Sequence, residues 1–591
     1  MFVRAELVLF IVAFSLAVLA IAFVLPRRVL PWRAAFATAC CVVAALAPLL
    51  LFTVLDAERA RGSAFWEWSA VGGPTIQASY RLDGLAAAGV GIGALFVAAA
   101  LVATTRVPAR HQLLRPTILL NGFVFITLAV TDDLIAAIVA LGSLAALTSF
   151  VAMLVSTPPA VARLTAYLAA GVQSFVVSAL LLSRFGGASF RFDAIAPDAA
   201  TPGVILAASI GGALFAGLYP FVPWGYRHEE AGERESLRGL LTMPAGLGAT
   251  ILLLRIIGVT RIDLSTLALP GSVSPVLAAI LSIAIALVVL MTRRRGGARR
   301  RFGIAIVLIL LLFGYEYVRW SHVVLVAALL TIAYAAAVSF AFPEQWAITR
   351  YDVALATMWI ALASGSSTAV AGAFVAIAGA AFDAISESFW MPPHRSYITV
   401  AIGSTAILAG VITVAIGAFD ASDIVTIALA ATAAIAILGL QVADAGRRLS
   451  VAAVPSDLDV SAAIAAFLGT VAIVLVLALP LADASLHAFG RAIPRTAGEL
   501  VILVPLVSVL GTLLVVVARA IRPFLPELAS VAKRLDLAVS IADPVPAAAA
   551  SFRVLAGAAT AVSSVFSLFE ERAGVWLALL LIATLLVWAV R

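Results

Sequence analysis

Long apolar runs separated by short polar loops make up most of the chain. The hydrocarbon core of a bilayer, about 30 Å thick, is crossed by about 20 apolar residues in a helix. About 17 stretches meet this requirement, so the pattern predicts an all-α, polytopic transmembrane bundle of about 14–17 helices. The candidate spans lie near residues 5–25, 34–55, 84–105, 114–131, 133–155, 160–182, 203–223, 239–259, 271–292, 302–316, 320–342, 352–382, 397–417, 424–443, 459–482, 498–518 and 571–590.

One of these stretches is too long for a single straight span. Residues 352–382 are interrupted by Gly365-Ser-Ser-Thr368 and by Gly372. The stretch therefore forms either one tilted helix or two pieces with an irregular middle. Asp383 and Glu387 follow it, where we expect them to flank a break and to line an outward-facing cavity.

Composition agrees with a membrane protein. Of the 591 residues, 63% are hydrophobic and 12% are charged, against about 45–50% and about 25% in soluble domains. A folded soluble domain cannot bury that much apolar surface. The only two cysteines, Cys40 and Cys41, are adjacent in an apolar run, which excludes a disulfide scaffold. No polar loop is long enough for a catalytic domain, and we expect no cofactor or metal.

The basic residues indicate orientation rather than nucleic-acid binding. Arginines cluster after the odd-numbered spans among the first nine, most densely at 293–301. By the positive-inside rule these loops are cytoplasmic and the N-terminus faces outward, in the inner cell membrane. Arg447 and Arg448 do not fit the alternation, which indicates a miscounted span in the second half.

A motif in the middle of the chain resembles a known family. Pro220-Phe-Val-Pro-Trp224 follows an apolar span, His228-Glu-Glu-Ala231 precedes the next, and Arg255 lies near the end of that next span. This order is similar to P-F-H-x-W-L-P-D-A-H-E-A in the large antiporter-like membrane subunits of respiratory complex I, multisubunit cation/proton antiporters, membrane-bound hydrogenases and inorganic-carbon uptake complexes. The positions that match the family pattern are Pro220, Phe221, Trp224, Glu230 and Ala231.

Two shorter matches extend the resemblance. Thr131-Asp-Asp-Leu134 is similar to the N-D-L-L start of one family helix, and Ser321-His322 to the N-H-A-x-x-K start of a later one. The resemblance covers an antiporter-like core (84–345). Hydropathy and polarity divide the rest of the chain into N-terminal spans (1–83), a second-half bundle (346–520), a polar or amphipathic segment (521–570) and a terminal anchor (571–591).

The chain departs from the family where the chemistry lies. In the family a glutamate on one helix pairs with a lysine on a later helix, and further lysines extend a proton path through the membrane. The corresponding positions here are Gly142, Phe215, Leu247 and Val326. The only lysine in the chain is Lys533, outside the region of resemblance, so no shift of the alignment restores the missing charges.

The ionisable groups that remain in or near the spans are candidates for proton transfer or coupling. They are His322, Arg255, Glu316 and Asp133. Histidine titrates near neutral pH, whereas Arg255 near a span end can extend to the interface and Glu316 can pair locally with Arg319. Asp132 and Asp133 precede a helix, where carboxylates cap exposed N–H groups.

The sequence therefore favours a structural or regulatory antiporter-like subunit of a complex I-like, hydrogenase-like or ion-translocating assembly. Its expected partners are other membrane subunits and lipids, with no nucleic acid, and any enzymatic role is at most that of a non-catalytic subunit. The alternative is an active transporter of protons or a small solute by a rewired path through His322, Arg255 and Glu316. A chance match of an unrelated polytopic protein is the third interpretation.

Overall fold

The structure is a computed structural model of the chain. It describes residues 66–69, 75–81, 83–104, 113–156, 158–186, 190–195, 201–222, 233–260, 319–341, 346–389, 395–419 and 424–451, together with Ile262, Leu264 and Leu267. The chain divides into two units, Met1–Ala542 and Asp543–Arg591, and every described residue belongs to the first. The arginine loop 293–301, Lys533, the segment after 520 and the candidate spans before residue 66 lie outside the described residues.

The described part is almost entirely helical, which confirms the all-α bundle. A short antiparallel pair of strands, β1 (Trp66–Ser69) and β2 (Thr75–Ala78), precedes the helices. The eleven described helices are α1 (Gly84–Ala103), α2 (Leu114–Val130), α3 (Leu134–Val155), α4 (Pro158–Gly186), α5 (Pro202–Ala216), α6 (Glu233–Thr260), α7 (Trp320–Ala341), α8 (Trp346–Ser364), α9 (Ser367–Phe389), α10 (Arg395–Phe419) and α11 (Ile424–Val451). Among them, six are long and apolar enough to cross a membrane, so this is a multi-pass membrane protein.

Local sequence explains where several helices begin and end. Asp133 caps α3, because its Oδ1 accepts hydrogen bonds from the backbone N–H groups of Ile135 and Ala136. Helix α5 is shorter than the predicted span 203–223. It stops at Ala216 because Gly217 adopts a left-handed conformation with φ of 65°, which terminates the helix.

Helix α6 lies at the centre of the first half of the bundle. It packs against α1, α2, α3, α5 and α8, and its membrane-spanning window is 94% buried. Small residues make this possible. A side chain at Gly248 would overlap Leu128 of α2 and press on Leu144 of α3, and one at Gly246 would overlap Leu355 of α8.

The long stretch 352–382 forms two antiparallel helices instead of one. Helix α8 ends at Ser364, Gly365 turns the chain with φ of 64°, and α9 begins at Ser367. A hydrogen bond between Arg350 of α8 and Asp383 of α9 shows that the two helices fold back on each other. The predicted break between Asp383 and Glu387 is wrong, because no Gly or Pro separates them and α9 continues to Phe389.

This additional span changes what the arginine pattern predicts for the second half of the chain. Counting α8 and α9 separately reverses the direction of every later span. Arg447 and Arg448, at the C-terminal end of α11, then fall on the cytoplasmic side of the topology that the first nine loops predict. In this predicted topology the Asp383 end of α9 would face the cytoplasm rather than the outward-facing cavity that the sequence suggested.

Helices α9 and α10 approach each other more closely than other neighbours in the described bundle. Four glycines form the seam: Gly372 and Gly379 of α9, and Gly410 and Gly417 of α10. A Cβ atom at any of them would overlap backbone atoms of the facing helix. Small residues at such positions let backbones pack directly, which is the main source of helix association within a membrane.

Candidate functional site

A buried ion pair joins α6 to the start of α1. The Arg255 guanidinium donates from Nη1 to Asp83 Oδ2 at 3.0 Å and from Nη2 to Asp83 Oδ1 at 3.2 Å. Nη2 also donates to the Ala129 carbonyl oxygen at 2.8 Å, near the end of α2. Its Cζ lies 5.8 Å from the centre of the Phe192 ring. Arg255 is thus held within the protein, whereas the sequence suggested that it could extend to the membrane interface.

Three chain segments meet around this pair and form what we call the rim clasp: residues 79–81 with Asp83, residues 131–133 and residues 190–193. The Arg81 N–H donates to the Val130 carbonyl at 2.7 Å, and the Leu134 N–H donates to the Phe190 carbonyl at 3.0 Å. Asp83 belongs to the clasp and also caps α1, because its Oδ1 accepts from the Ala86 N–H at 2.8 Å. The clasp therefore fixes the ends of several helices to one another.

A second carboxylate, Asp132, lies in the rim clasp. It is 5% exposed, and its Oδ1 is buried without a hydrogen-bond donor among the described residues. Burial raises the pKa of Asp132 above its ordinary value of 3.8, and the cations of Arg255 and Arg81 oppose this rise without cancelling it.

A second buried ion pair lies at the opposite end of the bundle. Arg350 Nη1 donates to Asp383 Oδ2 at 2.8 Å, and both side chains are 2% exposed. Arg350 Nη2 donates to the hydroxyl of Tyr351 at 2.9 Å, and Tyr351 packs edge-on against Phe96 of α1 with ring centres 5.9 Å apart. The pair therefore joins the α8–α9 hairpin to the first half of the bundle.

Further polar groups are buried at this end of the bundle. Asp352 on α8 and Asp444 on α11 are both buried, and the hydroxyls of Ser339 and Thr349 share a hydrogen bond of 2.7 Å. Within the described ranges no group of three or more His, Cys, Asp or Glu side chains is placed to hold a metal ion. The two Arg–Asp pairs therefore act as buried charge pairs between helices of the bundle.

Comparison with solved structures identifies the fold. The chain is similar to a chain of respiratory complex I from Thermus thermophilus with bound NADH, at 15% sequence identity and a TM-score of 0.51, over 86% of this chain and 99% of that one. It is also similar to a chain of the Mrp complex from Dietzia sp. DQ12-45-1b, at 15% identity and a TM-score of 0.59, over 94% of this chain and 60% of that one. No family model and no curated protein sequence matches.

The chain has the antiporter-like fold. This confirms, at the level of fold, the resemblance that Pro220, Phe221 and the neighbouring motifs indicated. At 15% identity the likeness concerns the arrangement of the helices. The chemistry has to be inferred from the residues of this chain.

Two of the four positions that the sequence resemblance aligns with charged residues lie inside this antiporter-like bundle and are filled by apolar side chains. Leu247 of α6 is fully buried. Phe215 of α5 is buried as well, and its ring lies so close to Gly171 of α4 that a side chain there would overlap it. Apolar side chains fill the bundle around both positions, and a space lined only by such side chains does not hold water.

The other two positions lie at the periphery of the described bundle. Val326 of α7 is 44% exposed. Gly142 of α3 is partly exposed, and a side chain there would contact only Val172 of α4 at 3.8 Å. A charge at either position would not lie on an axis through the interior.

The remaining predicted residues lie at helix ends or outside the described residues. His322 is in the first turn of α7, where its Nδ1 accepts a 3.4 Å hydrogen bond from the Arg319 N–H. Phe221 packs edge-on against Tyr167 of α4 with ring centres 5.7 Å apart. Pro220, immediately before it, is partly exposed. The family-motif residues Trp224 and Glu230 and the candidate Glu316 lie outside the described residues.

Sequence reasoning did not identify the two Arg–Asp pairs. A signal for one of them was present, because Arg350 is a charged residue next to an otherwise apolar stretch, and charges within spans are normally paired and functional. The partner of Arg255 was harder to find, because Asp83 is 172 residues away in sequence.

Proposed function

We propose that the chain is a structural or regulatory antiporter-like subunit of a multisubunit membrane complex. The observation that carries the proposal is the composition of the bundle interior. At the interior positions where the family has lysines, this chain has the packed side chains of Phe215 and Leu247. The two buried arginines of the described residues, Arg255 and Arg350, are each held by an aspartate.

Arginine is poorly suited to relay protons. The guanidinium keeps its proton at physiological pH, in contrast to a buried lysine, which can release one when its surroundings change. Arg255 and Arg350 each hold a carboxylate at hydrogen-bonding distance. Such pairs fix helices relative to one another, which supports a scaffolding role.

The partners that we propose are other membrane subunits and lipids. Both similar structures are chains of complexes, respiratory complex I and the Mrp complex. In a respiratory, hydrogenase-like or ion-translocating assembly of the inner membrane, this chain would be a non-catalytic subunit. Affinity purification of the tagged chain from native membranes, followed by identification of the subunits that co-purify, would test the assignment. Quantitative recovery of the chain alone would contradict it.

The purified chain in liposomes is expected to show no proton flux above that of protein-free vesicles under an imposed pH gradient. The reason is that the described interior offers no series of titratable groups across about 30 Å of hydrocarbon. A pH-sensitive dye inside the vesicles measures the flux, and a protonophore added at the end verifies that the vesicles are sealed. Clear flux would contradict the scaffolding role.

The buried acidic residues of the second half favour an alternative, an active transporter with a rewired path. Asp352, Asp383 and Asp444 are buried at the end of the bundle that holds a single described buried arginine, Arg350. Flux that disappears in Asp352→Asn or in His322→Ala would favour this alternative and would name the group involved. Flux that survives both changes would indicate a water path.

The orientation that we propose places the N-terminus and the rim clasp outward. Ala194 is exposed beside the clasp, and Gly297 lies in the arginine loop. In a chain with Cys40 and Cys41 replaced by serine, an impermeant thiol reagent added to intact cells should label Ala194→Cys and leave Gly297→Cys unlabelled until the membrane is permeabilised. The opposite labelling would reverse the topology.

A further inference from the structure

We propose that Asp132 is a proton-binding site in the rim clasp, and that loss of its proton gives Arg255 a second carboxylate that competes with Asp83. Deprotonation breaks only the O–H bond of the Asp132 carboxyl, and the proton passes to water at this end of the bundle. The site is distinct from the lysine positions of the family, because it lies between helices and its cation is an arginine.

Backbone hydrogen bonds on both sides hold Asp132 in the rim clasp. The Asp132 N–H donates to the Ser79 carbonyl at 2.9 Å, and its own carbonyl accepts from the Phe192 N–H at 3.0 Å. The residue is therefore fixed between two other segments of the clasp. Its buried Oδ1 has no donor among the described residues, and a buried acceptor without a donor is costly when it carries charge.

Four charged groups face Asp132: the cations Arg255 and Arg81 and the anions Asp193 and Asp83. Both cations are already occupied. Arg81 Nε lies 3.5 Å from Asp83 Oδ2, and Arg255 makes two bonds to the same carboxylate. Because Asp83 already pairs with both cations, burial outweighs their effect and raises the pKa of Asp132.

The neighbouring charged residues of the clasp have other partners. Asp133 caps α3. Arg191 donates to both carboxylate oxygens of Asp193, at 3.0 Å and 2.6 Å. A deprotonated Asp132 therefore finds its counter-charge in Arg255 or Arg81. Since Arg255 connects α6 to the ends of α1 and α2, sharing it would loosen the attachment of the central helix, and this links pH at the rim to the packing of the bundle.

The sign of the pH dependence follows from the raised pKa. Between the ordinary value of 3.8 and the higher folded value, the folded chain holds a proton that the unfolded chain has lost. Stability therefore falls as pH rises through this window. Asp132→Asn remains neutral throughout, so its thermal midpoint should match that of the wild type at the acid end and exceed it at higher pH.

The control is Asp193→Asn, the same chemical change at an exposed position of the same clasp. It should retain the loss of stability with rising pH, displaced toward lower pH because the Asp193 anion helps to raise the pKa of Asp132. Infrared difference spectra of the full-length protein give a direct readout. The wild type and Asp193→Asn should share one component of the protonated-carboxyl absorption that disappears on raising pH and that is missing from Asp132→Asn. Asp132→Ser, a smaller neutral variant, serves if the asparagine variant does not fold.

The competition for Arg255 has its own test. In Asp83→Asn the guanidinium of Arg255 keeps Asp132 as its remaining nearby carboxylate, so the Asp132 band should titrate at lower pH than in the wild type. An unchanged midpoint would overturn the competition. Identical pH dependence and identical spectra in wild type and Asp132→Asn, or a wild-type spectrum with no titrating carboxyl band, would overturn the proton site itself.

Discussion

Replacing Arg350 by methionine is expected to destabilise the bundle more than replacing Arg350 and Asp383 together. Removal of one partner leaves an unpaired charge at a site where both side chains are 2% exposed, and such losses cost about 3–5 kcal/mol. The double variant Arg350→Met with Asp383→Leu removes both charges, and apolar replacement of a buried pair is often neutral or stabilising. Unfolding of the wild type, both single variants and the double variant in mixed micelles gives the coupling energy.

An exposed ion pair of the same composition provides the control for this cycle. Arg191 and Asp193 are bonded at 2.6 Å with side chains 30% and 29% exposed, and exposed pairs contribute about 0–1 kcal/mol. The corresponding variants, Arg191→Met and Asp193→Leu, should each have a small effect. If the Arg350 and Asp383 changes were additive, the pair would make no coupled contribution to stability.

The helices were predictable because each apolar span is a local property of the sequence. Hydropathy placed a span at each of the described helices except α8 and α9, which share the one stretch 352–382. Residue-level rules predicted the cap at Asp133 and the two possible forms of that stretch. Only the structure selected between these forms. The turn at Gly365 depends on whether α8 and α9 pack on each other, and the Arg350–Asp383 hydrogen bond is one of the contacts between them.

The candidate site was less predictable because it consists of contacts between distant segments. Averaging over a window of about 20 residues hides single charges such as Arg350 in an apolar stretch. Spacing from a motif can assign Val326 and Gly142 to family positions, but it cannot show which face of a helix they occupy. The structure places both at the periphery. A missing charge there would not interrupt an axis through the interior, whereas Leu247 lies within the interior.

Replacing Gly410 by leucine is expected to prevent α9 and α10 from packing and to abolish accumulation of folded protein. A Cβ atom at Gly410 would overlap the backbone nitrogen of Ala376 and the carbonyl oxygen of Gly372, and neither can move away without displacing α9. Overpacking of flexible side chains costs about 1–3 kcal/mol. A clash with backbone along a helix seam should exceed this, because the two helices would have to separate along their length.

The matched control is Gly439→Leu. Gly439 is also in a membrane helix, α11, but nothing lies within 4 Å of a side chain added there. Both changes remove a glycine from a helix and add the same apolar side chain, so helix propensity and hydrophobicity change equally. Fluorescence-detected size exclusion of tagged protein should show a folded peak for Gly439→Leu and little or none for Gly410→Leu. Equal peaks would mean that the α9–α10 contact is looser than the structure shows, and the close backbone approach at Gly372 and Gly410 would not be what holds the second half of the bundle together.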